Sequence, residues 1–243
     1  MPRANRHMIP GNVYHLTHRC HDRRFLLKFQ KDRHRYQSLL RGYTEDCEVS
    51  LLTYNITSNH VHLIAYADQQ DQIADWMQKV AGDFARKYNR RKERSGAFWE
   101  GRYHATMIDC GGYLQECMRC VELNMVRCGV VRHPQQWEWS GYQELMGSRR
   151  RNRLLDVERL LQLLGNGSVE DFRRCFEAGL MESIAKDELK RQAHWTESLA
   201  VGGQAFVDQI ARRTLNRQQL EKELMGSAWV LRETTGSLYG LEK

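Results

Sequence analysis

Two hydrophobic periods alternate along the chain and predict strands and helices in a fixed order. Runs rich in β-branched and aromatic residues occupy 12–17, 49–56, 60–67 and 98–109 and read as strands. Between them, apolar residues recur every three or four positions over 25–43, 68–91 and 112–126, and Gly129 follows as a helix C-cap. The order β-α-β-β-α-β-α predicts an α+β fold of the ferredoxin-like, split βαβ type, an antiparallel sheet with helices on one face.

The pattern changes after Pro134. A short apolar segment at 137–146 is followed by a basic linker at 148–153, and the remainder reads mainly as helices. We predict two units, a domain over 1–147 and a mainly helical C-terminal extension over 148–243. Gly202-Gly203 and Gly226-Ser227 predict that the end of the extension consists of several small elements.

The charge, the cysteine content and the lack of long apolar runs limit the binding partners, the metal or disulfide sites and the cell compartment that we expect. The chain of 243 residues carries a formal net charge of +7, which favours polyanions, with nucleic acid ahead of an acidic membrane surface. Its seven cysteines are odd in number and form no C-x-x-C pair, so the sequence suggests neither a disulfide framework nor a zinc ribbon. No apolar run approaches the roughly 20 residues of a membrane span and the N-terminus lacks a signal-peptide pattern, so we expect a cytoplasmic protein.

The candidate chemistry is concentrated in the segment Asn59-His60-Val61-His62. On a strand, His60 and His62 project to the same face, where they could bind a divalent metal or merely form part of a solvated surface. Cys120 and Asn124 lie four residues apart on a predicted helix and share a face. If that helix lies near the third strand, the Asn124 amide oxygen could join the two imidazoles at one cation.

Six motifs occur along the first ~150 residues of the chain. They are Tyr14-His15-Leu16-Thr17, Arg19-Cys20-His21-Asp22-Arg23-Arg24-Phe25, Ser58-Asn59-His60-Val61-His62-Leu63, Phe98-Trp99-Glu100-Gly101-Arg102-Tyr103-His104-Ala105, Val121-Glu122-Leu123-Asn124-Met125-Val126-Arg127 and Trp139-Ser140-Gly141-Tyr142. In order and spacing they resemble the motifs of the REP-associated tyrosine transposases, which are single-tyrosine transposases of the HUH endonuclease superfamily. Residues 195–202 are also similar to the C-terminal extension of a longer subgroup.

The resemblance implies metal-dependent cleavage and rejoining of single-stranded or hairpin DNA through a covalent protein–DNA intermediate. It assigns His60, His62 and Asn124 to a divalent metal, Mg²⁺ or Mn²⁺, and the nucleophile to position 120. The family has tyrosine there and this chain has Cys120, whose sulfur falls several ångströms short of a tyrosyl oxygen. A catalytically inactive relative that binds DNA hairpins is therefore the alternative, and a nuclease that uses activated water is a third hypothesis.

Other residues carry competing interpretations. Tyr113, two helical turns before Cys120, could replace the nucleophile, although packing is the better expectation. His15, His18 and His21 are expected at the surface or in hydrogen bonds, and Trp99, Trp137 and Trp139 in the core. A basic run could contact the DNA backbone or form an ordinary solvated helix end. The candidate DNA-binding residues are Arg86, Lys87, Arg90, Arg91, Lys92, Arg94 and Arg102. The number of subunits, a homodimer included, stays open.

Overall fold

The computed structural model describes residues 8–165, 167–186, 189–214 and 220–234, which form seven strands and nine α-helices. The strands are β1 Asn12–Arg19, β2 Ser50–Ile56, β3 His60–Ala67, β4 His104–Ile108, β5 Ala200–Gly202, β6 Leu220–Met225 and β7 Ala228–Glu233. The helices are α1 Gln30–Asp46, α2 Gln72–Arg91, α3 Gly112–Glu122, α4 Asn124–Arg127, α5 Tyr142–Leu145, α6 Val157–Leu164, α7 Val169–Ala185, α8 His194–Glu197 and α9 Gln204–Arg213.

The first four strands confirm the predicted α+β fold. They pair antiparallel in the order β2-β3-β1-β4, which is the strand order of a ferredoxin-like sheet. In this register His60 lies opposite Arg19, and Thr17 lies opposite His104. The end of β1 and the starts of β3 and β4 therefore lie side by side at one end of the strands. This end of the sheet is called here the His60 edge.

Helices cover both faces of this sheet, whereas the sequence predicted helices on one face. The helices of the split βαβ unit, α1 and α2, do share a face, where Val61, Leu63 and Ala65 pack into a core with Trp76. On the other face Ile64 packs into a second core with residues of α3, α6 and α7. Since β3 is apolar on both sides away from its histidines, burial of both faces follows from its sequence.

The C-terminal extension contributes three strands that the sequence did not predict. β5 pairs in parallel with β4, and β7 and β6 follow antiparallel, so the sheet has seven strands in the order β2-β3-β1-β4-β5-β7-β6. A three-residue strand such as β5 is too short to show a period in the sequence. Among the described residues, no helix is long and apolar enough to cross a membrane.

Two predicted elements are shorter than expected. β4 begins at His104 and not at Phe98, because residues 98–103 form a loop that touches the sheet through a bridge between Trp99 and Cys20. The helix expected over 112–126 is divided at Leu123 into α3 and α4. Cys120 therefore lies in the last turn of α3, and Asn124 begins α4.

Candidate metal and nucleic-acid site

The two histidines of β3 lie together at the His60 edge, on the sheet face that carries α3. Their ring centroids are 4.8 Å apart in an edge-on arrangement. His62 is buried and His60 is half-buried. The prediction that the side chains share a face agrees with this placement, and α3 covers a face that could otherwise have been solvated.

Each histidine is held through its Nδ1 atom. His60 Nδ1 lies 2.7 Å from Asn59 Oδ1 and 3.0 Å from Thr57 Oγ1. His62 Nδ1 lies 2.9 Å from Nε2 of His15 on β1. A neutral imidazole that donates from Nδ1 keeps a lone pair on Nε2, which is the atom left to bind a metal.

Burial keeps these rings uncharged at neutral pH. It lowers the pKa of His60 to about 3, with further lowering by the nearby positive charges of Arg19, Arg127 and Arg191. Burial and the neighbouring His60 and His15 also hold the pKa of His62 well below its ordinary value. Metal ligation requires neutral imidazole, so both rings are in the form that a cation needs.

Asn124 completes the set expected from the sequence. Its Nδ2 lies 3.1 Å from His62 Nε2, and Asn55 Nδ2 donates to Val121 O over 2.9 Å, which attaches the end of α3 to β2. Rotation of the Asn124 amide would present Oδ1 in place of Nδ2. Two imidazole nitrogens and one amide oxygen fit Mg²⁺ or Mn²⁺ with positions left for other ligands. Among the described residues, no group of three or more His, Cys, Asp or Glu is arranged to bind a metal ion. The set proposed here has only two residues of these types, His60 and His62, and its third member is an asparagine.

Cys120 shares two charged neighbours with His60, namely Arg127 and Arg191, but it is a protonated thiol. Burial raises its pKa above the ordinary value, although the positive charge of Arg127 opposes the shift. Arg127 Nη1 lies 3.7 Å from Cys120 Sγ. Since the thiolate and not the thiol is the nucleophile, these surroundings suppress attack by this residue at neutral pH.

Tyr113 lies at the other end of α3. Its hydroxyl donates to Ser227 O over 3.2 Å, at the turn between β6 and β7. α3 follows the end of β4 at Ile108, which pairs with Val13 and so lies away from the His60 edge. The structure therefore places Tyr113 in packing contacts and does not bring it to the histidines.

Four residues near the site were not among the predicted site residues. His15 is almost fully buried and hydrogen-bonded to His62, which agrees with the second of its two expected positions, the surface or a hydrogen bond. Arg19, Arg127 and Arg191 supply the positive charge felt by His60. Arg127 lies seven residues after Cys120, a helical spacing that could have indicated it. Arg191 lies in the C-terminal extension, and no local signal marks it.

The predicted DNA-binding residues also lie near the His60 edge. They are on the face of the sheet that α1 and α2 cover, whereas the histidines are on the face that α3 covers. α2 leaves the far end of β3 and returns to the start of β4, so its basic C-terminus reaches the His60 edge. Several of these cations also have structural partners. Arg86 and Lys87 pair with Asp83, Arg91 pairs with the buried Asp32, Lys92 lies over the Phe29 ring, and Arg94 donates to Ala97 O. Whether or not they have such partners, Arg86, Lys87, Arg90 and Arg102 are exposed.

One family of sequences and one solved structure agree with this fold. Residues 10–119 match the sequence profile of a family described as transposase, IS200 like. The solved structure of a REP-associated tyrosine transposase bound to a REP hairpin is similar with a TM-score of 0.52 and 14% sequence identity, over 60% of this chain and 86% of that chain. A protein assigned as a transposase in Deinococcus radiodurans gives a TM-score of 0.34 and 19% identity over 42% of this chain and 83% of that one. No curated protein sequence matches significantly.

Proposed function

Since residues 10–119 belong to the IS200-like transposase family, we propose that this DNA-binding protein recognises DNA hairpins with adjacent single strands and holds Mg²⁺ or Mn²⁺ beside them. His60, His62 and Asn124 would be the metal ligands. The observation that carries the proposal is that these three side chains meet at one end of the sheet, with both Nδ1 atoms engaged in hydrogen bonds.

Positive charge around the site supports DNA as the ligand. Arg19, Arg127 and Arg191 come from three separate parts of the chain and all act on His60. A phosphate diester that approaches the histidines would meet these guanidinium groups, which bind phosphate oxygens well. A protein of similar fold was solved with a REP hairpin bound, in agreement with a hairpin ligand here.

The protein side chains have distinct parts in such a site. A bound divalent cation would polarise a phosphate oxygen and offset its charge. Asn59 and Thr57 hold the His60 ring in place, and His15 holds His62. The arginines would orient the phosphate, and because they are charged at any physiological pH, their contribution does not depend on proton transfer.

We propose further that residue 120 does not form the covalent intermediate of the family. The Cys120 side chain ends well short of the position of a tyrosyl oxygen, and its thiol is protonated at neutral pH. The hydroxyl of Tyr113 donates a hydrogen bond to Ser227 O at the other end of α3. The function that the geometry supports best is therefore metal-assisted hairpin binding without covalent strand transfer.

Hydrolytic cleavage is the second candidate. His60, His62 and Asn124 would hold a divalent cation, which supplies the activation of water that hydrolysis requires, and the three arginines would stabilise charge that develops on the phosphate. This activity would cut single-stranded DNA without joining it to the protein.

Labelled hairpin DNA with a single-stranded extension, incubated with the full-length protein and Mn²⁺, separates the candidates. We expect retention of the DNA on the protein without cleavage and without an adduct that survives denaturation. A denaturation-resistant adduct of the natural protein would contradict the proposal, and cleavage without an adduct would favour hydrolysis. Absence of binding would reject both candidates.

The variant Cys120→Tyr tests whether only the nucleophile is missing. We expect it to gain a covalent adduct with the same DNA in the presence of Mn²⁺, because Arg127 and Arg191 already act on position 120 and the proposed ligands would hold the cation. Cys120→Phe is the matched control, since it adds the ring without the hydroxyl and should give no adduct. Equal behaviour of the two variants would show that the rest of the site cannot support cleavage.

A further inference from the structure

We propose that His15 is a positioning residue of the metal site, and that the backbone carbonyl of Trp195 in the C-terminal extension sets the tautomer of His62 through it. The inference rests on the proposed metal site and adds a role for two residues that do not themselves bind the cation. It also assigns the C-terminal extension a part in that site.

The hydrogen bonds around His15 run in one direction. Trp195 O lies 2.8 Å from His15 Nδ1, and a carbonyl oxygen can only accept, so Nδ1 carries the hydrogen. A neutral His15 then has no hydrogen on Nε2, which must accept from His62 Nδ1 over 2.9 Å. His62 in turn is left with an unprotonated Nε2, directed at Asn124.

Burial removes the competing arrangements. His15 is 1% exposed and His62 7% exposed, so bulk water has little access to either ring. If His62 carried its hydrogen on Nε2, two unprotonated nitrogens would face each other across 2.9 Å, and each would lose its partner. The carbonyl of Trp195 thus excludes the tautomer in which His62 cannot bind a metal.

The extension holds this carbonyl rigidly. Trp195 begins the first turn of α8 together with His194, and its side chain is 3% exposed. Directly after α8, Ser198 O accepts from Thr106 Oγ1 over 2.7 Å and Leu199 O from Met107 N over 2.9 Å. Pairing of β5 with β4 therefore fixes the Trp195 carbonyl relative to His15 on the neighbouring strand β1.

Loss of the hydrogen bond between His15 and His62 is expected to lower the affinity for Mn²⁺, although His15 does not itself bind the metal. Replacement of a group that orients a metal-bound histidine typically lowers metal affinity by about 10-fold to 100-fold. We expect His15→Leu in the full-length protein to weaken Mn²⁺ binding by about that factor. His15→Gln, which keeps an acceptor for His62 Nδ1, should recover part of the loss. His21→Leu is the matched control, because His21 lies in the loop after β1 and pairs with Asp22.

Two measurements on the full-length protein test the inference. Calorimetric titration with Mn²⁺ gives the affinities of the natural protein and the three variants. Long-range ¹H–¹⁵N spectra of the metal-free protein give the tautomers, with His60 as an internal reference, since its Nδ1 bonds to Asn59 and not to His15. We expect His62 to be protonated on Nδ1 in the natural protein and to lose that preference in His15→Leu, while His60 is unchanged.

The outcomes separate this inference from the proposed function. If the natural protein fails to bind Mn²⁺, the metal site is wrong, while the tautomer spectra still test His15. If it binds Mn²⁺ and His15→Leu binds equally well with His62 still protonated on Nδ1, the role of His15 is wrong and the metal site stands. If His15→Leu does not fold, a natural protein with His62 protonated on Nε2 would overturn the inference. A measurable loss of Mn²⁺ affinity in His15→Gln that is matched by an equal loss in His21→Leu would also overturn it.

Discussion

Glu122 is a carboxyl group enclosed between β2 and α3, two residues before Asn124. It is 1% exposed, and the Thr53 hydroxyl donates to it. Gly141 lies against both groups, and a Cβ there would collide with Thr53 Oγ1, which explains glycine in the segment Trp139-Ser140-Gly141-Tyr142. Burial raises the pKa of Glu122 from its ordinary 4.5 to about 7, although hydrogen bonds from Thr53 and Ser140 oppose the shift.

This shift makes stability depend on pH in a direction that can be tested. The folded state keeps its proton up to about pH 7, whereas the unfolded chain releases it near pH 4.5, so this group lowers stability as pH rises between those values. The full effect is about 3 kcal/mol, from 1.36 kcal/mol per pKa unit. We expect Glu122→Gln to be increasingly stabilised relative to the natural protein over this range.

Urea unfolding of both proteins at several pH values between 4 and 8 measures this difference. Subtraction of the two curves cancels the opposite contribution of His15 and His60, whose lowered pKa values destabilise the fold as pH falls below their ordinary value. A difference that does not change with pH would show that the pKa of Glu122 is the same in the folded and the unfolded protein.

Helix α2 shows how one element combines packing with surface charge. Its apolar stripe, which includes Ile73, Trp76 and Val80, is buried as the helical period predicts. At its C-terminus Arg91 pairs with the buried Asp32 of α1, so this cation attaches the two helices to each other. Arg90 is exposed, so it is the residue in which we test a contact with DNA. The structure shows a structural role for Arg91, and the DNA-binding role of the basic run stays a prediction.

Replacement of Arg90 tests the DNA-binding role of α2. We expect Arg90→Ala to weaken hairpin binding by a similar factor for every hairpin sequence, because phosphate contacts carry no sequence information. The slope of log affinity against log salt concentration should fall in magnitude by about 0.7 to 0.9, the loss of one phosphate contact. Fluorescence anisotropy at several salt concentrations gives both quantities.

Lys222→Ala is the control, since it removes one positive charge from β6. This strand is the outermost one of the sheet, four positions beyond β1 in the strand order. Equal salt slopes for Arg90→Ala and Lys222→Ala would mean that net charge, and not a contact at α2, governs affinity.

At the scale of the whole molecule, one sheet of the described residues contains strands from both predicted units, the domain over 1–147 and the extension over 148–243. β5 pairs with β4, and Phe172 and Phe176 of α7 lie in the same core as Leu114 and Met118 of α3. Gly202 approaches Asp109 so closely that a Cβ at residue 202 would collide with it. The two units are therefore expected to unfold together, although a basic linker separates them in the sequence.

Limited proteolysis tests this continuity. Residues 150–153 of the linker are exposed and contain three arginines, so we expect trypsin to cut there first. The two fragments should then co-elute in gel filtration, because the sheet and the core hold them together. A C-terminal fragment that separates under native conditions would show that the extension is an independent domain, and dissociation should also reduce Mn²⁺ affinity if His15 depends on Trp195.

The sequence by itself determined the elements from β1 to α3 and the pairing of His60 with His62 on one strand face. Each of these depends on residues close together in the chain, where hydrophobic period and side-chain alternation act directly. The four-residue spacing of Cys120 and Asn124 is likewise a feature of residues close together in the chain, even though the helix is divided at Leu123.

Only the tertiary structure decided which distant groups meet at the site. His15 and Trp195 are 180 residues apart, and Arg191 approaches His60 from the extension. The pairing of β5 with β4 and the coverage of both sheet faces likewise depend on which segments dock together. Such contacts arise from the packing of whole elements, which leaves no periodic pattern at the residues themselves. A single sequence can therefore suggest candidate metal ligands, but it does not show that His15 and Trp195 meet beside them.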